Sequence, residues 1–238
     1  MKPAEFDRHA ASYDGGLDNP VKRLMGNSAD QFIAVKARWL LRREPALKRG
    51  GLSVLDYGCG AGDLMRVLGS LGARAGFAGC DVSAGMLAEA SKRWPAALGP
   101  APALATQDGA TTPFGDRQFD IVTISAVLHH VPLEERHAVY RELGRVLKPG
   151  GRIYVFEHNP RNPLVRHVIA RTPIDENAVL LDAREVRDGL LDTARYELET
   201  DYLMFMPPGL AFLAPIDRTL AWLPLGAQYV VTARKGGA

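Results

Sequence analysis

The chain has 238 residues, 47% hydrophobic and 24% charged, an ordinary balance for one folded domain. Its net charge of +2 is too small to argue for a nucleic-acid partner. No apolar run approaches the ~18 residues of a membrane-spanning helix, so no membrane partner is expected. Two cysteines, Cys59 and Cys80, make no disulfide framework. The opening MKPAEFDRHA lacks the apolar core of a signal peptide, so a reduced, cytoplasmic setting is expected.

Residues 1–27 are polar and glycine-bearing. Ser28 with Gln31 three residues on reads as a capping box. Phe32, Val35, Trp39 and Leu40 recur at helical spacing, which predicts an amphipathic helix over 29–43. Strands are then predicted at 52–57, 76–81, 102–107, 119–125, 151–157, 198–205 and 227–234. Helices are predicted at 61–70, 84–93, 133–147 and 183–192. This alternation implies a doubly wound α/β fold, a parallel sheet with helices on both faces, spanning 1–238 as a single domain. The proline-rich stretch 158–182 reads as an irregular insertion above the strand ends, over the site.

The most informative segment is VLDYGCGAGDL, residues 54–64. A short apolar strand ends in Asp56, and glycines follow at 58, 60 and 62 before a helical run. A strand that turns through glycines into a helix presents free backbone N–H groups at the helix start. Glycine also lets a ligand approach without meeting a Cβ. A dinucleotide turn would read G-x-G-x-x-G and cradle a pyrophosphate. Here the spacing is D-x-G-x-G-x-G, and a carboxylate at the strand end suits a cationic amine instead. Asp81 closes the second strand 23 residues after Gly58, where an acidic side chain can accept two hydrogen bonds from a ribose diol. Ser83 is placed to cap the following helix.

These residues resemble motif I and the following blocks of the class I S-adenosylmethionine (SAM) methyltransferases. Further blocks in the same order are FDIVTISAVLHHV (119–131) and RVLKPGGRIYVFE (145–157), so the resemblance covers about 52–157. It implies a Rossmann-like seven-stranded sheet of order 3-2-1-4-5-7-6, the last strand antiparallel. It also implies SAM as cofactor. Asp56 would lie near the amino-acid part, with Gly58 and Gly60 against its backbone, Asp81 at the ribose, and Val82 and Met86 beside the adenosine. Asp108 and Gly109 would meet the adenine, and Ser125 would close the fourth strand near the ligand. FDRHAASYD resembles the family's amino-terminal lid, so residues 1–45 are read as lid and helix, with Tyr13 closing over the ligand.

Methyl transfer asks the protein to hold an acceptor in line with the S–CH₃ bond and, for a hydroxyl or amine, to remove a proton. Two histidine positions follow strand ends, where doubly wound folds bind ligands. His158 is the first choice as general base, with Glu157 orienting it, and His130 the second. No H-x-x-x-H or C-x-x-C spacing suggests a metal. Phe205, Met206, Phe212, Leu213 and Trp222 are candidates to line an apolar acceptor cavity, and Arg161, Arg166 and Arg171 read as solvated. The expected function is methylation of a small-molecule acceptor, with oxygen favoured over nitrogen or carbon. The alternatives are a SAM-binding partner protein without catalysis and a nicotinamide-dependent oxidoreductase, the latter disfavoured by the glycine spacing. Oligomeric state is not legible.

Overall fold

The computed structural model describes residues 29–172, 178–206 and 219–236. In chain order its elements are α1 (Ala29–Arg43), β1 (Leu52–Tyr57), α2 (Asp63–Ser70), β2 (Ala75–Asp81), α3 (Ala84–Arg93), β3 (Ala103–Thr106), β4 (Phe119–Ser125), α4 (Leu133–Val146), β5 (Leu147–His158), α5 (Pro163–Ile169), α6 (Ala183–Leu191), β6 (Tyr196–Leu203) and β7 (Gln228–Lys235). The strands form one seven-stranded sheet in the order β3-β2-β1-β4-β5-β7-β6. Pairing is parallel from β3 through β5, and β7 runs antiparallel to both β5 and β6. This is the order and the antiparallel last strand that the resemblance implies.

Strand alternation divides the core between the two faces. Val54, Ile121, Tyr154, Phe156 and Val230 pack under α1 and α2, against Ala37, Leu40, Leu41, Leu64 and Leu68. Ala37, Leu40 and Leu41 stand at i, i+3 and i+4, the stripe an amphipathic helix turns inward. Leu55, Tyr57, Val122, Ile124, Val155 and Val231 point the other way, onto Val139, Leu143, Val186 and Leu190 of α4 and α6. Each of those four helix residues is fully buried. A fully buried side chain of this kind contributes about 1.5–3 kcal/mol. The same alternation sends Asp56 to the α1 face of β1, two residues beyond Val54.

Two stretches differ from the sequence reading. Residues 158–182 are not wholly irregular, because α5 forms inside them. Asn162 caps α5 by accepting from the N–H groups of Leu164 and Val165, and Pro163 stands in its first turn, where a missing N–H does no harm. Proline there opens a helix rather than breaking one. At the other stretch, β5 begins at Leu147, directly after α4. The Pro149–Gly151 turn becomes a register shift within the sheet, with Phe119 opposite Leu147 and Ile121 opposite Arg152. The cap read at Ser28 lies outside the described residues.

Candidate active site

The glycine turn after β1 is built by close packing as much as by backbone freedom. Gly58 has φ +68°, and a Cβ placed there would stand 2.5 Å from a Val127 methyl in the turn after β4. Gly60 has φ +52° and a Cβ there would meet nothing within 4 Å, so this backbone faces open space. Gly60 N–H donates to Asp81 Oδ2 and Ser83 N–H to Asp81 Oδ1, both at 2.9 Å. The Asp81 carboxylate therefore ties the glycine turn to the end of β2. The same carboxylate lines the cavity, where its two oxygens suit a diol. Ser83 caps α3 as expected, its hydroxyl accepting from Met86 N–H at 3.0 Å.

These turns wall a cavity of about 200 Å³ that opens to solvent. Among the residues expected to bind cofactor, Asp56, Gly58, Gly60, Asp81, Val82, Met86 and Ser125 all line it. Asp108 and Gly109 are not among its lining residues. The exposed Asp108 carboxylate is engaged by its own turn, accepting from Ala110 N–H, Thr111 N–H and the Thr111 hydroxyl. Those bonds hold its pKa down to about 2. Gly109 is anchored through its carbonyl by the Tyr57 hydroxyl at 3.1 Å. Tyr13 lies outside the described residues.

The sequence reading missed Lys36. It sits on α1, is 6% exposed, lines the cavity and donates to Ser125 Oγ at 2.8 Å. Its neighbours i+1, i+4 and i+5 are core residues, so in sequence it reads as the polar edge of an amphipathic helix. Only the packing of α1 over the ends of β1 and β4 shows that its ammonium turns inward. Burial pulls its pKa down to about 8, opposed by the charges of Glu157 and Asp56. Asp56, 3% exposed, accepts from the Thr123 hydroxyl at 2.7 Å, across the parallel register that pairs the two residues. Burial pushes its pKa up to about 7, opposed by that hydrogen bond and by Lys36. A carboxylate and an ammonium thus stand in the same apolar-walled cavity.

His130 also lines the cavity, whereas His158 is not among its lining residues. Glu157, fully buried, is turned toward His129 and not set up as expected for His158. Its Oε2 lies 2.6 Å from His129 Nδ1, and its Oε1 accepts from the N–H groups of Val127 and Leu128 at 3.0 and 2.7 Å. Burial alone would raise the pKa of Glu157, but the adjacent His129 ring and the hydrogen bonds outweigh it and bring the value to about 2. The backbone makes this possible at Ala126, which adopts φ +58° and bends the chain so that two successive N–H groups converge on one oxygen. The His129 ring centroid lies 4.2 Å from that of His130 and 5.2 Å from that of His158.

The expected apolar acceptor wall is not brought together in full. Trp222 is 74% exposed, Phe205 and Met206 are half-buried, and Phe212 and Leu213 lie outside the described residues. Arg161 pairs with Asp182 at 3.0 Å, and Arg166 and Arg171 are exposed. No cluster of three or more His, Cys, Asp or Glu able to hold a metal occurs among the described residues. No described helix is long and apolar enough to cross a membrane.

Comparison with known proteins agrees with this geometry. A family model described as a methyltransferase domain matches residues 54–151. A 2-phytyl-1,4-naphthoquinone methyltransferase of Synechococcus elongatus is 38% identical over 68% of this chain and 65% of its own length. A demethylmenaquinone methyltransferase of Mycolicibacterium paratuberculosis is 33% identical over 69% of this chain and 67% of its own. The chain thus spans about two thirds of the length of these relatives. The structure of magnesium protoporphyrin IX methyltransferase from Synechocystis, with S-adenosylhomocysteine (SAH) bound, superposes with a TM-score of 0.68 at 23% identity, covering 98% of this chain and 95% of that one. In sheet order, glycine turn and sequence, the chain belongs to the class I SAM-dependent methyltransferase family.

Proposed function

We propose that this protein transfers the methyl group of SAM to a small-molecule acceptor, with an aromatic or quinol hydroxyl as the acceptor class. The observation that carries the reading is the charge pattern of the cavity. The methionyl end of SAM is a zwitterion, and the cavity offers Asp56 for its ammonium and Lys36 for its carboxylate. Asp81 at the end of β2 suits a ribose diol, and Gly60 leaves the space a Cβ would take. Val82 and Met86 supply an apolar wall for the adenosine. A nicotinamide dinucleotide fits this pattern poorly, because its pyrophosphate would stand against carboxylates.

When bound, SAM supplies an already activated methyl group, so the protein's contribution is position and proton removal. Lys36 and Ser125 fix one wall. His130, which lines the cavity, is the first candidate to accept a proton. His158, set back from the lining, is the second candidate. The names of the Synechococcus and Mycolicibacterium relatives point to quinone rings, and a reduced quinone presents hydroxyls to such a base. Oxygen is the acceptor atom in this reading, and the ring carbon beside the hydroxyl is the competing one, since a Desulfotalea psychrophila relative 33% identical is named a C-methyltransferase.

The test begins with binding. SAM and SAH should each raise the melting temperature, while NAD should not. Methyl-labelled SAM incubated with 1,4-naphthohydroquinone and with catechol should then yield a labelled organic product. Stabilisation by NAD and not by SAM would refute the cofactor assignment. Tight SAH binding without transfer to any hydroxylated acceptor would favour a binding protein over an enzyme.

A further inference from the structure

Glu157 and His129 lie behind the cavity and are not among its lining residues. Glu157 is fully buried and anionic, and every hydrogen bond described for its carboxylate goes to the turn 127–129. A buried carboxylate is costly unless paired and hydrogen-bonded. Here three donors meet it, and they all belong to the segment that carries His130. That segment is fixed from the other side too. The buried Arg136 donates to Val131 O at 3.1 Å and to Val179 O at 2.8 Å, and Val179 N–H donates to His129 O at 2.8 Å.

Building on the methyl-transfer reading, we propose that Glu157 and His129 are positioning residues for His130. The carboxylate fixes the backbone turn and the Nδ1–H of His129. The His129 ring, 4.2 Å from His130, holds that ring against the cavity wall. In the step this serves, a lone pair of the acceptor oxygen forms the new O–CH₃ bond, the S–CH₃ bonding pair stays on sulfur, and the O–H proton passes to a ring nitrogen of His130. The other charged or titratable groups that face this turn include Lys36 from α1, Asp56 from β1, His158 from β5, Arg136 and Tyr140 from α4 and Tyr229 from β7. Of these, Lys36, His158, Tyr140 and Tyr229 bear directly on Glu157. The arrangement differs from a linear acid–base triad. The carboxylate and the outer imidazole are linked through a tilted contact between the two rings and a shared backbone turn.

Two variants separate positioning from structure. In Glu157→Gln the amide oxygen still accepts from Val127 and Leu128. The amide nitrogen, being a donor, makes His129 Nδ1 an acceptor and inverts its tautomer. His129→Gln removes the ring and leaves the carboxylate with its backbone donors. Ring-labelled nitrogen spectra of the SAH complex should show His129 protonated at Nδ1 from pH 5 to 8 in the wild type and inverted in Glu157→Gln, with the His130 ring signals displaced in both variants. With methyl-labelled SAM and 1,4-naphthohydroquinone, kcat should fall about 10-fold or more in both, with KM for SAM changed less than about twofold. His129 unprotonated at Nδ1 in the wild type, or folded SAH-binding variants with unmoved His130 signals, would overturn the proposal. Failure of the wild type to bind SAH would instead overturn the cofactor reading on which it rests.

Discussion

Asp56→Asn should make the protein more stable and a poorer binder of SAM. Asp56 is 3% exposed, and burial raises its pKa from 3.8 to about 7. At 1.36 kcal/mol per pKa unit, the ionised folded form is disfavoured by about 4 kcal/mol once the pH exceeds 7. That figure already includes the attraction of Lys36. The sign follows from linkage. The folded state holds this proton more tightly than the unfolded chain, so the penalty is absent below pH 3.8, grows through the interval and is complete above about 7. At pH 5 it amounts to roughly 1.5 kcal/mol. Asparagine keeps an acceptor for the Thr123 hydroxyl and removes the charge. Urea unfolding of the empty protein should therefore favour the variant at pH 8 by about 1–4 kcal/mol and by much less at pH 5. Calorimetric titration should show SAM bound more weakly by about 1.5–3 kcal/mol, the loss of a charged hydrogen bond. A variant less stable than wild type at pH 8 would refute the reasoning. It would mean that Asp56 and Lys36 act as a true buried ion pair whose breakage leaves one charge stranded.

Lys36→Met should also stabilise the empty protein, since burial lowers the lysine pKa from 10.5 to about 8. Here the gain should be present below pH 8 and vanish by about pH 10.5, as the unfolded chain gives up the same proton, and SAM affinity should drop. Asp81→Ala strips the acceptor from Gly60 and Ser83 N–H, so thermal melts should fall along with SAH binding, whereas Asp81→Asn should recover part of the stability and little of the binding. Gly58→Ala combines left-handed backbone with a Cβ only 2.5 Å from a Val127 methyl, and denaturant unfolding should register about 2–4 kcal/mol of destabilisation. Turnover should be unchanged by a chelator, and an activity lost in EDTA and restored by magnesium would reveal a metal site.

The order of strands and helices was legible because each element carries its own period and its own punctuation. The D-x-G-x-G-x-G turn announced the ligand end of the sheet, and Asp56, Asp81, Ser125 and Met86 do converge there. What sequence could not supply was direction. Lys36 sits on a helix edge where lysine is ordinarily solvated, and only the crossing of α1 over the ends of β1 and β4 turns it inward. Glu157 and His158 are adjacent, which invited pairing them. Strand alternation sends neighbours to opposite faces, so the carboxylate reaches His129 in the next turn. Asp108 stands at the expected place in the chain, but a threonine three residues on captures its carboxylate. The proline-rich stretch 158–182 read as irregular because the role of Pro163 as a helix opener depends on Asn162 before it.

The contact between Gly58 and Val127 has a practical bearing on engineering. The turn after β4 and the glycine turn after β1 share one van der Waals surface, so a substitution at Val127, even one meant to widen acceptor range, will press on the glycine turn as well. Libraries that vary Val127 will score changes in cofactor occupancy as changes in acceptor preference. Ile33 lines the same cavity from α1, outside that shared contact, and is the better first position for altering which acceptors are taken.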